Sequence, residues 1–233
     1  MGIASKMMRI FIKIVVLIYV SMGPNIYAQA YSFKVKYGMI YAGTAELIYN
    51  LEQGILVGEL TTNSSPWLAN LWILADSIKS TYNLESGLLE EHIKAIHEGS
   101  YHRNYSVEFA DSNRVLVNGK EEVVPESGLR DVPSLLYDLS KYDFRDGEIL
   151  EIPLWDGRSY GILSLRVEKV GKPSLFHPLS SPGWKLTPLN SSRKSRENRI
   201  QLALLLSKSV PHIPLRIEID TKYGYIVMRL EEP

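Results

Sequence analysis

The feature that most constrains the fold is a two-residue alternation of apolar and polar side chains along most of the chain. Phe33, Val35 and Tyr37 alternate with two lysines, which gives one apolar face and one basic face. Alternation with this period is typical of a β-strand that buries one side. Similar segments follow at residues 39–51, 55–62, 78–84, 88–95, 101–110, 114–117, 148–154, 159–170, 200–206, 215–220 and 225–230. Many are joined by glycine-containing turns, so the pattern predicts a mainly β protein built from antiparallel strands.

Two segments have helical rather than strand periodicity. In the first, Ser65 is a candidate N-cap and Pro66 a candidate first helical residue. Its apolar residues recur at helical spacing at Leu68, Leu71, Trp72 and Ala75. The second covers residues 131–141, with an apolar stripe of Leu135, Leu136 and Leu139. The predicted fold is therefore a curved antiparallel sheet, shaped like a half-barrel or a corner, with one or two short helices packed on it.

Composition favours a single globular domain. The chain has 233 residues, 45% of them apolar and 22% charged, which is an ordinary globular balance. We find no internal repeat and no linker long enough to separate two domains, and the basic segment at residues 191–199 is expected to be a loop. Residues 31–233 are therefore expected to form one β-rich domain.

The first 30 residues have the layout of a secretory signal. Three basic residues and no acidic one precede an apolar run at residues 14–22, and a Gly-Pro pair follows. Ala28 and Ala30 are the small residues three and one positions before a cut that would begin the mature chain at Tyr31. A cut after Ala28 is the alternative. A retained membrane anchor is less favoured, because the run is about half of the roughly 20 residues that a bilayer span needs.

Charge and cysteine content narrow the localisation and the partners. The formal net charge is zero, and loss of the signal would leave about −3, so the surplus of cations that nucleic-acid binding requires is absent. The chain has no cysteine, which excludes thiolate metal sites and the lipid-bearing cysteine of a bacterial lipoprotein. We expect a periplasmic or secreted protein that is not lipid-anchored and is at most peripheral to a membrane.

Several short motifs resemble one bacterial family. They are Phe33-x-Val35-x-Tyr37-Gly38 with Gly43 and Ala45, the run from Asp131 to Leu139 (DVPSLLYDL), Gly147, Leu206-Ser207, the run from Ile213 to Ile217, and the run from Tyr223 to Ile226. Together they are similar to domain of unknown function 3108 over nearly all of the mature chain. The resemblance implies an exported protein with a β-rich fold and names no reaction. Two positions depart from the family pattern: Lys208 replaces a common acidic residue, and Tyr142-Asp143-Phe144 replaces the usual end of the helix motif.

The histidines raise the question of a metal site. His92, His97 and His102 recur every five residues, a spacing that places neighbours on opposite faces of a strand. A turn after His97 would bring His97 and His102 together at an exposed hairpin tip. Solvated strand faces are therefore favoured over metal ligation, and we predict neither a metal site nor a cofactor. His177 and His212, each beside a proline, are expected in loops without a placed partner.

Catalytic motifs are absent from the sequence. It contains no Gly-x-Ser-x-Gly elbow, no phosphate-binding glycine loop and no His-Glu-x-x-His. Asp76, Asp111 and Asp131 are candidate acids or bases, but carboxylates at these positions more often cap turns and helices. We predict no catalytic residue and favour a non-enzymatic protein.

The aromatic side chains supply the candidate ligand site. The chain has 14 tyrosines, four tryptophans and five phenylalanines, many of them on or beside the early strands. Tyrosine and tryptophan suit a groove with one apolar and one wet side. The predicted ligand-binding residues are Trp67, Trp72, Tyr82, Tyr101 and Tyr105. Ordinary core packing explains the same residues without a ligand, and it is the favoured interpretation.

Three functions are consistent with these features. The favoured one is a monomeric envelope module that binds a lipid or another apolar or amphipathic molecule. The second is a hydrolase with an unrecognised Asp/His site, which predicts those residues in one cleft. The third is a protein that docks onto an envelope partner through a strand edge or the basic segment, which predicts an uncovered apolar surface.

Overall fold

The computed structural model describes residues 27–70, 75–109, 114–123, 128–157, 160–171, 182–189, 201–221 and 224–231. Within these ranges the chain forms strands and two short helices. The strands are β1 (Tyr27–Tyr37), β2 (Ile40–Glu52), β3 (Ile55–Ser64), β4 (Ala75–Asn83), β5 (Leu88–Glu98), β6 (Tyr101–Phe109), β7 (Arg114–Val117), β8 (Lys120–Val123), β9 (Ile149–Trp155), β10 (Tyr160–Val170), β11 (Gly183–Pro188), β12 (Gln201–Ser207), β13 (Pro214–Thr221) and β14 (Gly224–Leu230). The helices are α1 (Pro66–Ala69) and α2 (Val132–Lys141).

All fourteen of these strands belong to one antiparallel sheet. Its order is β8-β7-β6-β5-β4-β3-β2-β1-β14-β13-β12-β11-β10-β9. Strand β1 pairs with β2 on one side and with β14 on the other, so it joins the meander β1–β8 to the meander β9–β14. The sheet is not closed into a barrel, and β8 and β9 are its edge strands. The prediction of a mainly β protein with an antiparallel sheet and one or two short helices is confirmed, and the structure has one large sheet and two short helices.

The core lies on the inner face of this sheet. Phe33 and Leu47 are fully buried, and their strands alternate buried and exposed residues as the sequence pattern requires. Helix α2 packs against this face and buries Leu135, Leu136 and Leu139 in the same core. Tyr49 on β2 fixes the helix start, because its hydroxyl donates a hydrogen bond of 2.9 Å to the carbonyl oxygen of Pro133.

The segment before α2 brings the edge strand β9 towards the first meander. Arg130 forms a parallel bridge with Leu154, with backbone hydrogen bonds of 3.0 and 2.6 Å. From the other side, the Lys94 ammonium on β5 donates to the Asp156 carbonyl at 2.8 Å. The end of β9 therefore lies against β5, and the sheet curls around α2 without strand pairing between its two edges.

The structure differs from the sequence prediction in a few elements. Strands β8 and β11 were not predicted, since β8 is short and mostly charged and β11 begins with glycine and ends with proline. The first helix ends at Ala69, and Ala75 belongs to β4, so that helix was predicted too long. Pro66 is in the first turn of α1 as expected, but the Ser65 side chain makes no capping hydrogen bond.

Some predictions concern parts of the chain outside the described residues. These are most of the predicted signal, at residues 1–26, the basic segment at residues 191–199, and the singled-out residues Trp72, Asp111 and His177. In the described part, neither helix is long and apolar enough to span a membrane.

Candidate functional site

The start of α2 is built by a carboxylate that serves two purposes. Asp131 is the N-cap, and its Oδ1 accepts hydrogen bonds from the Ser134 amide at 3.1 Å and the Ser134 hydroxyl at 2.7 Å. The Ser134 hydroxyl oxygen in turn accepts from the Asp131 amide at 3.0 Å, which completes a capping box. The prediction that Asp131 caps a helix is thus correct, and its second oxygen remains for other partners.

That second oxygen holds two strands of the sheet to the helix. Asp131 Oδ2 lies 2.7 Å from Nδ1 of His92 on β5 and also accepts a hydrogen bond from the Ser80 hydroxyl on β4. All three side chains are buried. Burial by itself raises the pKa of Asp131, but the hydrogen bonds from His92, Ser80 and Ser134 outweigh it and leave the pKa below its ordinary value. Asp131 is therefore held as a carboxylate at the centre of a buried polar cluster.

The buried cluster does not have the connectivity of a hydrolase triad. In such a triad the serine hydroxyl donates to the histidine, and the histidine is oriented by the carboxylate. Here Ser80 donates to Asp131 and not to His92, so the imidazole is not placed to take the hydroxyl proton. The remaining nitrogen of His92, Nε2, is buried and has no hydrogen-bond partner among the described residues. The geometry supports a structural connection between β4, β5 and α2.

Gly157, just beyond β9, covers the free nitrogen of His92. A Cβ at this position would lie 2.8 Å from Lys94 Cδ and 3.2 Å from His92 Nε2, and the backbone has a φ of +98°. Only glycine fits such a close approach with this φ without strain. A side chain at position 157 would therefore contact the buried Nε2 of His92.

A Gly157→Ala variant tests this contact. We expect it to lower the free energy of unfolding by about 2 kcal/mol, because strain at the positive φ adds to the clash. Gly147→Ala is the matched control, since Gly147 has a φ of +84° but nothing within 4 Å of its added Cβ. Urea unfolding followed by circular dichroism should show the smaller loss for Gly147→Ala; equal losses would contradict the close packing on His92.

A second set of polar contacts secures the next turn of α2. The Arg130 guanidinium donates to Asp138 Oδ2 at 2.5 Å and lies over the Tyr82 ring, 4.6 Å from its centroid. It also donates to the Gly87 carbonyl at 3.1 Å. Burial is the main reason that the pKa of Tyr82 is raised, and the nearby Asp138 adds to the effect. Helix α2 is thus attached to the sheet by both its charged and its apolar side chains.

The sequence predictions for the histidines are partly confirmed and partly wrong. His97 and His102 face each other across the β5–β6 hairpin with ring centroids 3.9 Å apart, and His102 is exposed, as expected. His92 was expected on a solvated face, but it is buried. His212 was expected without a partner, but its two ring nitrogens lie 2.8 Å from the Ser207 carbonyl and 3.0 Å from the Tyr142 carbonyl. No group of three or more potential metal ligands occurs in the described part of the chain.

A different part of the molecule exposes large apolar side chains. We define the hairpin rim as Tyr37, Met39, Ile40, Tyr41, Trp67 and Tyr225, all of which are exposed. Met39 is 97% exposed at the tip of the β1–β2 hairpin, where Gly38 supplies the φ of +58° that a two-residue turn needs at its first position. Turn tips normally carry polar residues, so an apolar tip on this scale is unusual for a surface in water.

The strand register places the rim residues at one end of the sheet. Tyr37 is opposite Ile40 on β2, and the Gly38 amide donates to the Tyr225 carbonyl on β14 at 3.1 Å. Trp67 is close on the other side, because the Ser65 amide donates to the Ala42 carbonyl at 2.8 Å and α1 follows directly. The β5–β6 hairpin, with exposed Tyr101, reaches the same end. The rim residues therefore lie on neighbouring chain segments at one end of the sheet.

The four predicted ligand-binding residues that the structure describes are not brought together. Tyr82 is buried in the main core, and Tyr105 is buried on β6 opposite Lys94. Trp67 and Tyr101 are half exposed at the end of the sheet that carries the rim. Trp72 lies outside the described residues. Residue type alone made Trp67 a candidate, but it gave no signal for Met39 and Ile40, which stand out only by their exposure at a turn.

Comparisons with known proteins give a family and a fold. A family model described as "Protein of unknown function (DUF3108)" matches residues 32–231. Among solved structures, the chain is similar to a "Beta-barrel-like Protein of Domain of Unknown Function DUF1849" from Brucella abortus, with a TM-score of 0.55, 9% identity, and coverage of 90% of this chain and 96% of that one. It is also similar to a DUF1089 family protein from Pseudomonas aeruginosa, with a TM-score of 0.42, 10% identity, and coverage of 73% and 87%. A comparison with curated proteins gives no match. At these identities the first likeness supports the β-rich fold alone.

Proposed function

The chain belongs to the DUF3108 family, and from that premise we propose that it is an exported protein of the cell envelope that binds an amphipathic partner rather than performing catalysis. The partner contacts the hairpin rim. The protein has no cofactor and acts as a monomer.

Export is supported by the N-terminal sequence. The basic start, the apolar run and the small residues before Tyr31 have the layout of a cleaved secretory signal. The family match begins at residue 32, directly after the predicted cut. A mature domain that starts at Tyr31 retains the whole matched region.

The observation that carries the binding function is the exposure of the rim. Met39 and Ile40 are 97% and 55% exposed, and three exposed tyrosines and Trp67 lie at the same end of the sheet. Exposed patches of this kind usually mark a contact with another apolar surface. The cluster around His92 offers no comparable surface, because Ser80, His92 and Asp131 are all buried.

Expression of the full-length chain in a Gram-negative host tests export and binding separately. We expect osmotic shock to release a protein whose N-terminus is Tyr31 or Gln29, and an unprocessed chain in the cytoplasm would contradict export.

For binding, native mass spectrometry would follow incubation with dihexanoyl phosphatidylcholine below its micelle concentration. We expect a lipid adduct on the wild type and an Ile149→Glu control but a weaker one on Ile40→Glu; equal adducts, or none, would overturn binding at the rim.

A further inference from the structure

We infer that His212 is a buried imidazolium and acts as a pH-sensitive clasp between the end of α2 and the turn that joins β12 to β13. Strand β12 ends at Ser207 and β13 begins at Pro214, so His212 belongs to the connection between them. When the ring is protonated, it donates one hydrogen bond to each of the two segments. As the pH rises, the ring loses a proton, one of these hydrogen bonds is lost, and the hold on α2 weakens.

Both ring nitrogens of His212 face a carbonyl oxygen. Nδ1 lies 2.8 Å from the Ser207 carbonyl oxygen, and Nε2 lies 3.0 Å from the carbonyl oxygen of Tyr142, the C-cap of α2. A carbonyl oxygen only accepts, and a neutral imidazole has a single N–H, so its other nitrogen would turn a lone pair towards the second carbonyl. The imidazolium donates to both. Because the side chain is only 3% exposed, a hydrogen bond left unmade here is costly.

The position of His212 at the end of α2 also favours a positive charge. The last carbonyl groups of a helix have no partner within the helix, and they give its C-terminus a partial negative charge. The backbone of His212 is fixed at this end, since its amide donates to the Ser140 carbonyl at 2.7 Å. The helix dipole therefore stabilises the protonated ring, and burial limits the screening of this effect by salt.

An aromatic side chain packs beside the imidazole. The ring centroids of Phe144 and His212 are 4.9 Å apart, and Phe144 is itself buried. Trp184 on β11 lies on Phe144 with a centroid distance of 5.7 Å. A cation within about 6 Å of an aromatic centroid is attracted by the ring, and the attraction is stronger where water is excluded. Phe144 therefore adds a third contact that favours the protonated ring.

The ionisable side chains of the neighbouring segments are exposed or bonded to other groups. The exposed ones are Lys141, Asp143, Arg145 and Lys208. Glu148, which is half-buried, accepts hydrogen bonds from the Arg145 amide and the Tyr142 hydroxyl. Exposed charges of both signs act weakly through water and salt. The protonation of His212 is therefore set mainly by the two carbonyls, the helix end and Phe144.

The sign of the pH dependence distinguishes the protonated ring from the neutral one. In an unfolded chain a histidine has its ordinary pKa of about 6.5. If the fold favours the imidazolium, the resulting stability is fully present below that pH and is lost as the pH rises and the folded protein releases the proton. If the fold favours the neutral ring, the stability is instead lost as the pH falls.

Urea unfolding of the wild type and a His212→Gln variant, at about pH 5.5 and about pH 8.5, measures this sign. We expect the folding equilibrium constant of the wild type, relative to that of His212→Gln, to be about tenfold larger at the lower pH. The other titratable groups are present in both proteins, so their effects cancel in the ratio. His102→Gln is the matched control, because His102 is exposed, and its ratio should change by less than about twofold.

A ratio for His212→Gln that is equal at the two pH values, or larger at the higher one, would overturn the clasp. If the variant does not fold, nitrogen NMR of the ¹⁵N-labelled wild type, assigned through the backbone, replaces it. Two protonated ring nitrogens in His212 at neutral pH are expected, and a single protonated nitrogen would contradict the inference. Neither experiment depends on binding at the hairpin rim, because the β12–β13 turn lies at the opposite end of the sheet.

Discussion

An Asp131→Ala variant is expected to lose about 3–5 kcal/mol of the free energy of unfolding, because it breaks a buried pair and leaves its partners unsatisfied. Asp131 accepts hydrogen bonds at both carboxylate oxygens, and the groups that lose them are Ser80, His92 and Ser134. The N-cap of α2 is lost at the same time. Urea unfolding at neutral pH, followed by circular dichroism, measures the difference.

Two further variants separate the charge of Asp131 from its capping role. Asp131→Asn keeps a capping oxygen but removes the charge beside His92, so we expect a smaller loss than for alanine. Asp143→Ala is the control for a general effect of removing a carboxylate, since Asp143 is exposed just beyond α2, and its loss should stay within about 0.5 kcal/mol. If Asp131→Ala unfolds no more easily than Asp143→Ala, the buried cluster does not stabilise the fold. If the alanine variant does not fold, the asparagine variant provides the measurement.

The pH dependence of the Asp131→Asn loss gives an independent check. The folded-state pKa of Asp131 is below the unfolded-state value of about 3.9, so its contribution to stability is present above that pH and is lost as the pH falls through the folded-state pKa. The stability difference between wild type and Asp131→Asn should therefore be largest near neutral pH and shrink below about pH 4. A difference that stayed constant down to pH 2 would mean that the charge of Asp131 is not involved.

Most of the fold could be predicted from the sequence because its signals are local. A strand with one buried face shows alternation within six residues, as Phe33 and Val35 do, and the N-cap and apolar stripe of α2 lie within nine residues. The strands that were missed lack this pattern. In β11 the residues Gly183 and Pro188 are poor strand formers, and pairing with β10 and β12 holds the segment extended.

The buried cluster could not be predicted, because it depends on a bulge and on distant residues. In a strand without a bulge, every second side chain would face inward, starting from Leu89. Glu91 and Ile93 would then face inward, and His92 would face outward. The β4–β5 register shifts between Thr81 and Tyr82, and the shift reverses the alternation so that His92 is buried and Ile93 is exposed. Asp131, the partner of His92, is 39 residues away in sequence. No spacing rule joins two such positions.

The exposure of the hairpin rim also could not be predicted from the sequence. An apolar residue in a turn, such as Met39, looks in the sequence like part of the strand that follows it. Only the hairpin geometry, with Gly38 at a φ of +58°, shows that the side chain projects into solvent. Sequence reasoning therefore assigned the apolar residues near this turn to strand faces and looked for a ligand among aromatic residues such as Tyr82 and Tyr105, which are buried.

A Leu135→Ala variant is expected to lose about 3–5 kcal/mol of the free energy of unfolding, because it leaves a cavity between α2 and the sheet. Leu135 is fully buried in the main core, on the helix stripe that faces the inner side of the sheet. For a domain of this size the loss corresponds to a fall of about 10 °C in Tm. Urea and thermal unfolding, both followed by circular dichroism, measure it.

The Leu135→Ala variant also decides whether α2 is part of the core or a cover over a ligand cavity. Leu116→Ala on β7 is the control, since Leu116 is half-buried and should cost about 1 kcal/mol or less. If α2 covered an open cavity, Leu135 would lack partners on one side, and its loss would be close to that of Leu116. A solid core instead predicts the large loss, together with a new apolar cavity that takes up benzene or xenon only in the variant. That result would leave the hairpin rim, at the end of the sheet, as the surface that meets an amphipathic partner.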